Sequence, residues 1–348
     1  MTATSRRAEP EKLAVVGAGS WGTALAWHLA RKGLEVDLWV YEPEVCEQIK
    51  SGRENKTFLP GVPLPENVHV SNDLEEVVPG HGVVLMVVPS HVMRPVTSRL
   101  AGFVLPGALL CSAAKGIENE TFLTMTQVIE EELPQDLVWR RACLSGPTFA
   151  REVSQGLPTA VTVACPDREA ARRMQNLLSS KMMRVYASND LIGVELGGAL
   201  KNIFALAAGI ADGLGLGANA RAALITRGLA EMSRLGVKMG ANPLTFMGLA
   251  GLGDLVLTCT GDLSRNRTVG LKLGRGLKLP DILAEMKMVA EGIKTARSVY
   301  GLAKREGVAM PITEEVYRIL YEDKPPLQGL ADLMSRDLRD EIEHVLAL

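Results

Sequence analysis

At ~150 residues per domain, a chain of 348 residues holds two domains or three. Apolar residues make up 47% and charged residues 22%, which excludes a disordered or collagen-like chain. With 38 basic against 40 acidic side chains there is no electrostatic pull towards a nucleic acid. Five scattered cysteines (Cys46, Cys111, Cys143, Cys165, Cys259) without a CxxC pair argue against a disulfide scaffold or a zinc cluster and for reduced thiols in the cytoplasm. The histidines show no metal-ligand spacing, so no metal is expected.

Residues 1–12 read as a disordered tail. Arg6, Arg7 and Lys12 ahead of the uncharged run Leu13–Ala30 imitate an export signal, but Glu9, Pro10 and Glu11 intervene and Gly17, Gly19 and Gly22 punctuate the run. A folded unit is expected instead. Leu13–Val16 is a continuous apolar run entering glycines, as a buried parallel strand would be. A helix over Ser20–Arg31, stopped by Gly33, and a strand over Glu35–Val40 follow. Val83–Val88, Ala108–Ala113 and Ala142–Leu144 are further buried strands, with Thr159–Ala164 and Met183–Tyr186 as added edge strands. This alternation predicts a doubly wound parallel sheet over residues 13–190.

Near Ser188-Asn189-Asp190 the pattern changes to helix, giving an all-helical second domain over 191–348. Leu191–Ala211 carries only Glu195 and Lys201 as charges and is otherwise apolar on every face, the mark of a helix at the centre of a domain. Two mid-span charges and the closing Asp212 speak against membrane insertion.

Gly17-Ala18-Gly19-Ser20-Trp21-Gly22 is a GxGxxG between a strand and a helix, the context of a dinucleotide-binding turn rather than of a plain glycine turn. Strand two ends in Trp39-Val40-Tyr41-Glu42-Pro43, with no basic residue for a 2′-phosphate and Glu42 close to the position of a ribose-binding acid, which leans towards NAD; the alternative is that Glu42 is merely solvated. Lys201 has Gly197, Gly198, Ala205 and Ala208 as helical neighbours, a small-residue face that something must approach closely. Desolvation suits such a lysine to acid–base work near neutral pH; the alternative is a structural ion pair with Glu195 or another acid. Asp254, after glycines, is a possible partner for it. Ser264, Arg265 and Asn266 form either a fork of phosphate donors or a solvated loop. There is no P-loop and no GxSxG elbow.

These segments, with Val87-Val88-Pro89-Ser90-His91, Ala114-Lys115-Gly116, Ser145-Gly146-Pro147-Thr148-Phe149-Ala150, Gly197-Gly198-Ala199-Leu200-Lys201-Asn202, Gly217-Ala218-Asn219, Ala250–Leu255, Ser264–Arg267 and Pro311–Glu315, resemble the bacterial-type NAD(P)-dependent glycerol-3-phosphate dehydrogenases from Leu13 to about Tyr321. The resemblance implies a Rossmann domain followed by an all-α domain like the C-terminal domain of 6-phosphogluconate dehydrogenase, and reversible reduction of dihydroxyacetone phosphate to sn-glycerol 3-phosphate for phospholipid synthesis. It implies catalytic roles for Lys201 as proton donor, Asp254 as holder of its ammonium, Lys115 beside the carbonyl and Asn202 as orienter of that pair. It implies substrate contacts from Lys115, Gly146, Thr148, Lys201, Asp254, Ser264, Arg265 and Asn266. Cofactor contacts would come from Gly17, Gly19, Ser20, Trp21, Gly22, Tyr41, Lys115, Ala150, Arg265, Val289 and Glu291. Family members often carry an arginine where this chain has Val40, a departure that agrees with NAD. A homodimer is expected. The rival readings are a β-hydroxyacid dehydrogenase, which usually has an asparagine at the position of Ala205, a UDP-sugar dehydrogenase using Cys259 as nucleophile, and a nicotinamide-binding sensor without catalysis.

Overall fold

The computed structural model describes residues 12–286, 290–338 and 340–341. Eight strands form one sheet: β1 (Lys12–Val16), β2 (Glu35–Trp39), β3 (Val68–Ser71), β4 (Val83–Met86), β5 (Leu109–Ser112), β6 (Arg140–Ser145), β7 (Thr159–Ala164) and β8 (Met183–Ser188). Their order is β3-β2-β1-β4-β5-β6-β7-β8. Both faces are covered, which is why these strands read as unbroken apolar runs. Leu13 and Val15 of β1 pack into one core with the Ser20–Arg31 helix, while Ala14 and Val16 enter a second core on the opposite face with Met93, Val96 and Val128.

The structure departs from the sequence reading in several places. Lys12 opens β1, so the expected tail cannot extend to it; residues 1–11 lie outside the described residues. The short strand β3, with exposed His69 among its four residues, gave no apolar run to detect. The sheet is mixed: β7 runs antiparallel to β6, and β8 parallel to β7. Between β6 and β7 lies a helix of only five residues, Ala150–Ser154, against the longer helical crossovers that usually link parallel neighbours. β7, paired on both sides, is interior, and of the two expected edge strands β8 is the one at an edge; the opposite edge is β3.

Two residues separate β8 from the helix Leu191–Gly213, whose first turn is capped by Asp190 accepting from the Gly193 amide at 2.9 Å. Among the described residues everything after Ser188 that is regular is helical. Leu191–Gly213 is apolar and long enough to cross a membrane by length and composition, but its residues are buried among the surrounding helices and β6. We call it the central helix.

The helix Arg265–Gly274 crosses the central helix at the distance of main-chain contact. A Cβ on Gly209 would lie 2.1 Å from the Arg267 carbonyl oxygen, and one on Gly270 2.1 Å from that of Leu206. One turn on, Gly213 and Gly274 face each other in the same way, each hypothetical Cβ 2.4 Å from a carbonyl oxygen of the opposing helix. Only glycine fits these four positions without separating the helices. Gly270→Ala is expected to destabilise the protein by ~1–3 kcal/mol through overpacking and to lower the melting temperature by several degrees in scanning calorimetry; unchanged melting would refute the crossing.

Candidate active site

Where β1 ends, the chain turns through Gly17 at φ 114°, a conformation glycine adopts without strain. A Cβ there would press on the backbone of Val87 at 3.0 Å, and one on Gly22 would lie 1.8 Å from the Gly17 oxygen. Gly19, in contrast, faces open space. The Ser20–Arg31 helix begins directly behind it, with neither a side-chain cap nor an acid in its first turn, so its N-terminal amides are available to an anion. The buried indole N–H of Trp21 has no partner among the described residues. These features fit the pyrophosphate of a dinucleotide. Ser20 turns its hydroxyl to the Phe58 carbonyl at 2.7 Å, and Ala150 begins the short helix that packs beside this turn.

At the mouth of β2 the sequence argument needs correcting. The Val40 side chain is wholly buried in the core, so an arginine or its absence there says nothing about a ribose. Tyr41, 67% exposed and edge-on to Trp39, is the side chain that stands at the opening, with half-buried Glu42 beside it.

The second group of residues lies where the two halves of the chain meet. Asp254, with no exposed surface, shares its carboxylate between two ammonium groups: Oδ1 accepts from Lys201 at 2.5 Å and Oδ2 from Lys115 at 2.6 Å. Lys201 projects from the central helix, Lys115 from the loop after β5, and Asp254 from the first turn of the helix Asp254–Thr260, which follows a π-helical turn over Leu249–Gly253. Lys115 also donates to the Gly146 carbonyl at 2.9 Å and to Thr148 Oγ1 at 3.3 Å. The small-residue face beside Lys201 is explained: a Cβ on Gly197 would lie 2.5 Å from the Ala250 oxygen, and one on Gly198 2.5 Å from Ser145 Oγ. Glu195 takes no part. It accepts from Thr124 Oγ1 and from the amide and hydroxyl of Thr126, so the ion pair weighed as an alternative for Lys201 is made with Asp254 instead.

Thr258, which the sequence did not single out, accepts from Lys201 Nζ at 2.9 Å and donates to the Asp254 main-chain carbonyl at 2.6 Å. Its spacing of four residues from Asp254 on one helix was the available signal. The Ser145 hydroxyl, beside Lys115, is buried without a partner among the described residues. Burial lowers the Lys201 pKa to about 8; the Asp254 charge opposes that shift and the Lys115 charge adds to it. A lysine so placed exchanges its proton near neutral pH.

Asn202 meets the cluster through the main chain of Lys115 rather than through a charged side chain. Its amide nitrogen lies 3.5 Å from the Lys115 carbonyl, and its oxygen accepts from Asn266 Nδ2 at 2.9 Å. Asn266 in turn accepts from the Gly292 amide at 2.9 Å. Its side chain thus bridges two helices instead of facing the opening. Ser264 caps the helix Arg265–Gly274 by accepting from the Arg267 amide, which uses a lone pair and leaves its O–H able to donate. Of the three expected phosphate donors Arg265 is the one with none of its N–H groups engaged among the described residues: it opens to solvent and is walled closely enough that desolvation lowers its pKa against the opposing pull of Glu291. Glu291, at the start of the helix Glu291–Glu306, accepts from Ser90 Oγ at 2.6 Å, and burial raises its pKa. Val289 lies outside the described residues.

Two family models match this chain, the N-terminus of the NAD-dependent glycerol-3-phosphate dehydrogenases over residues 12–171 and their C-terminus over 190–331. The chain belongs to the NAD-dependent glycerol-3-phosphate dehydrogenase family. It is 58% identical to the glycerol-3-phosphate dehydrogenase [NAD(P)+] of Syntrophobacter fumaroxidans over 95% of this chain and 97% of the relative. To that of Geobacter metallireducens it is also 58% identical, over 95% and 99%. The crystal structure of the Coxiella burnetii glycerol-3-phosphate dehydrogenase superposes with a TM-score of 0.90 at 42% identity, covering 94% of this chain and 99% of that one. A D-mandelate dehydrogenase with NADH, at 14% identity and a TM-score of 0.61 over 92% of this chain and 99% of that one, shares the fold. Cys259, the nucleophile that a UDP-sugar dehydrogenase would need, is fully buried, and burial pushes its thiol up to about 12.

The charge arrangement makes a direct prediction. In ¹³Cε-lysine NMR, Lys201 should titrate with a midpoint near 8. Lys115→Met removes a like charge and should raise that midpoint, while Asp254→Asn removes the opposite charge and should lower it. A Lys201 midpoint in the ordinary lysine range would contradict the burial on which the site depends.

Proposed function

We propose that this chain catalyses the reversible, NAD(P)H-dependent reduction of dihydroxyacetone phosphate to sn-glycerol 3-phosphate, with Lys201 as proton donor. The observation that carries this reading is the buried Lys201–Asp254–Lys115 cluster in a member of this family. The bound cofactor supplies a hydride to the ketone carbon, or removes it in reverse, and one proton completes the alcohol. Lys201 gives that proton to the ketone oxygen and takes it back in the oxidative direction. Lys115 brings a second positive charge to the oxygen as negative charge develops there. Asp254 holds both ammonium groups in place, and Gly146 and Thr148 fix Lys115 through its remaining hydrogen bonds.

Arg265, the uncommitted cation at the opening, meets the substrate phosphate. Ser264 and Asn266 stand beside it as further donors, and the Asn202–Asn266 bridge sets its position by tying the helices together. Gly17, Gly19, Ser20, Trp21 and Gly22 form the cofactor cradle, with Tyr41 at its ribose end and Ala150 and Glu291 along its rim. On this reading residues 13–190 are the cofactor domain and 191–348 the substrate domain. NAD is preferred, on Glu42 and the lack of a basic residue at the mouth of β2 rather than on Val40. The same reading carries a homodimeric, cytoplasmic enzyme of glycerophospholipid synthesis; sedimentation showing only monomer would remove the dimer.

Absorbance at the reduced-nicotinamide band, with dihydroxyacetone phosphate and either NADH or NADPH, tests the assignment. Faster loss of NADH is expected; faster loss of NADPH would overturn the cofactor preference, and silence with both the function. Lys201→Ala should lower kcat by at least ~10²-fold, the scale of lost general acid catalysis, while NADH still binds. Near-normal turnover would remove Lys201 from the mechanism. The pH dependence has opposite signs in the two directions. Ketone reduction needs the ammonium form and should decline as pH rises through about 8, whereas alcohol oxidation needs the free amine and should rise through the same range.

A further inference from the structure

Asn55 lies in the loop after the helix Pro43–Gly52, outside every motif considered above, yet none of its surface is exposed. Its side-chain nitrogen donates to the Ala18 carbonyl at 2.8 Å and to Thr23 Oγ1 at 2.9 Å. Its side-chain oxygen accepts from the Phe58 amide at 3.0 Å. Thr23 Oγ1 adds a second donor to the Ala18 carbonyl at 3.1 Å. The Ser20 hydroxyl returns to this loop through the Phe58 carbonyl. A buried amide whose two N–H groups and oxygen are all engaged, two of them on one turn, holds that turn in a single orientation.

The orientation matters because a trans peptide is planar, with its C=O and N–H pointing in opposite directions. Drawing the Ala18 carbonyl inwards therefore turns the Gly19 N–H outwards, to the side where Gly19 faces open space. That side is where the helix N-terminus offers its own amides. We infer that Asn55 is a positioning residue for the dinucleotide: by holding the Ala18 carbonyl it presents the Gly19 amide to the pyrophosphate, with Thr23 as its partner. The inference rests on the cofactor reading above.

Direct binding of NADH, read by its fluorescence, tests it. Asn55→Leu keeps the side chain's shape without its hydrogen-bonding groups and is expected to raise the Kd for NADH at least tenfold. The KM for NADH should rise with it by more than kcat falls, and the KM for dihydroxyacetone phosphate should stay within twofold. Thr23→Val removes the hydroxyl's bonds to Ala18 and from Asn55 but leaves the direct Asn55–Ala18 bond, and should raise Kd about threefold, with Thr23→Ser restoring the wild-type value. A wild-type Kd in Asn55→Leu overturns the assignment. If that variant does not fold, a wild-type Kd in Thr23→Val does so instead. Failure of the wild type itself to bind NADH would strike the cofactor reading rather than the brace.

Discussion

Everything at this site depends on one carboxylate that water cannot reach. Two ammonium groups brought as close as Lys115 and Lys201 repel each other, and each loses hydration on burial. Asp254 answers both with one oxygen apiece. A single negative charge against two positive ones leaves the cluster with a surplus positive charge, suited to an oxygen on which negative charge is developing. Deleting the carboxylate would leave two buried cations, a change of ~3–5 kcal/mol by the general behaviour of broken buried pairs.

The three groups come from distant parts of the chain, and the fold brings them together by short-range devices. β5 delivers Lys115 at its C-terminal end, where open α/β sheets place their ligands. The central helix starts two residues after the last strand and runs under that same edge, with Gly197 and Gly198 letting the Ala250 backbone and Ser145 come within reach of Lys201. The amide chain from Asn202 through Asn266 to Gly292 then ties the helix that carries Arg265 to the helix that begins with Glu291. The glycine turn, Lys201 and Arg265 are thus held in one frame, at the junction of sheet and helices.

Much of this was legible in the residues. The glycine turn, the buried helix and the lysine isolated on a small-residue face all follow from local rules of period and burial, and all appear in the structure. What the sequence concealed were contacts between distant segments. Asn55 and Thr258 are ordinary polar residues until folding places them against Ala18 and Lys201. The sequence also hid a second use for two of the expected phosphate donors, the Ser264 oxygen as a helix cap and the Asn266 amide as a bridge between helices. Val40 was read as standing at the mouth of β2, whereas its side chain is buried in the core and Tyr41 stands at the opening. The reversal of β7 was hidden because an antiparallel strand with both faces covered looks the same in sequence as a parallel one.

The crossing of Gly209 and Gly213 with Gly270 and Gly274 has an evolutionary corollary. Where side chains clash, a neighbour can shrink and compensate; where main chains touch, no neighbouring substitution yields the missing space. The four glycines therefore form an all-or-nothing set, beyond the reach of stepwise compensatory change. A larger residue at any one of them pushes the helix bearing Arg265 away from the helix bearing Lys201 and lengthens the reach between the two cations. Drift in this part of the molecule is confined to outward-facing positions, and the span of the site is inherited with the backbone.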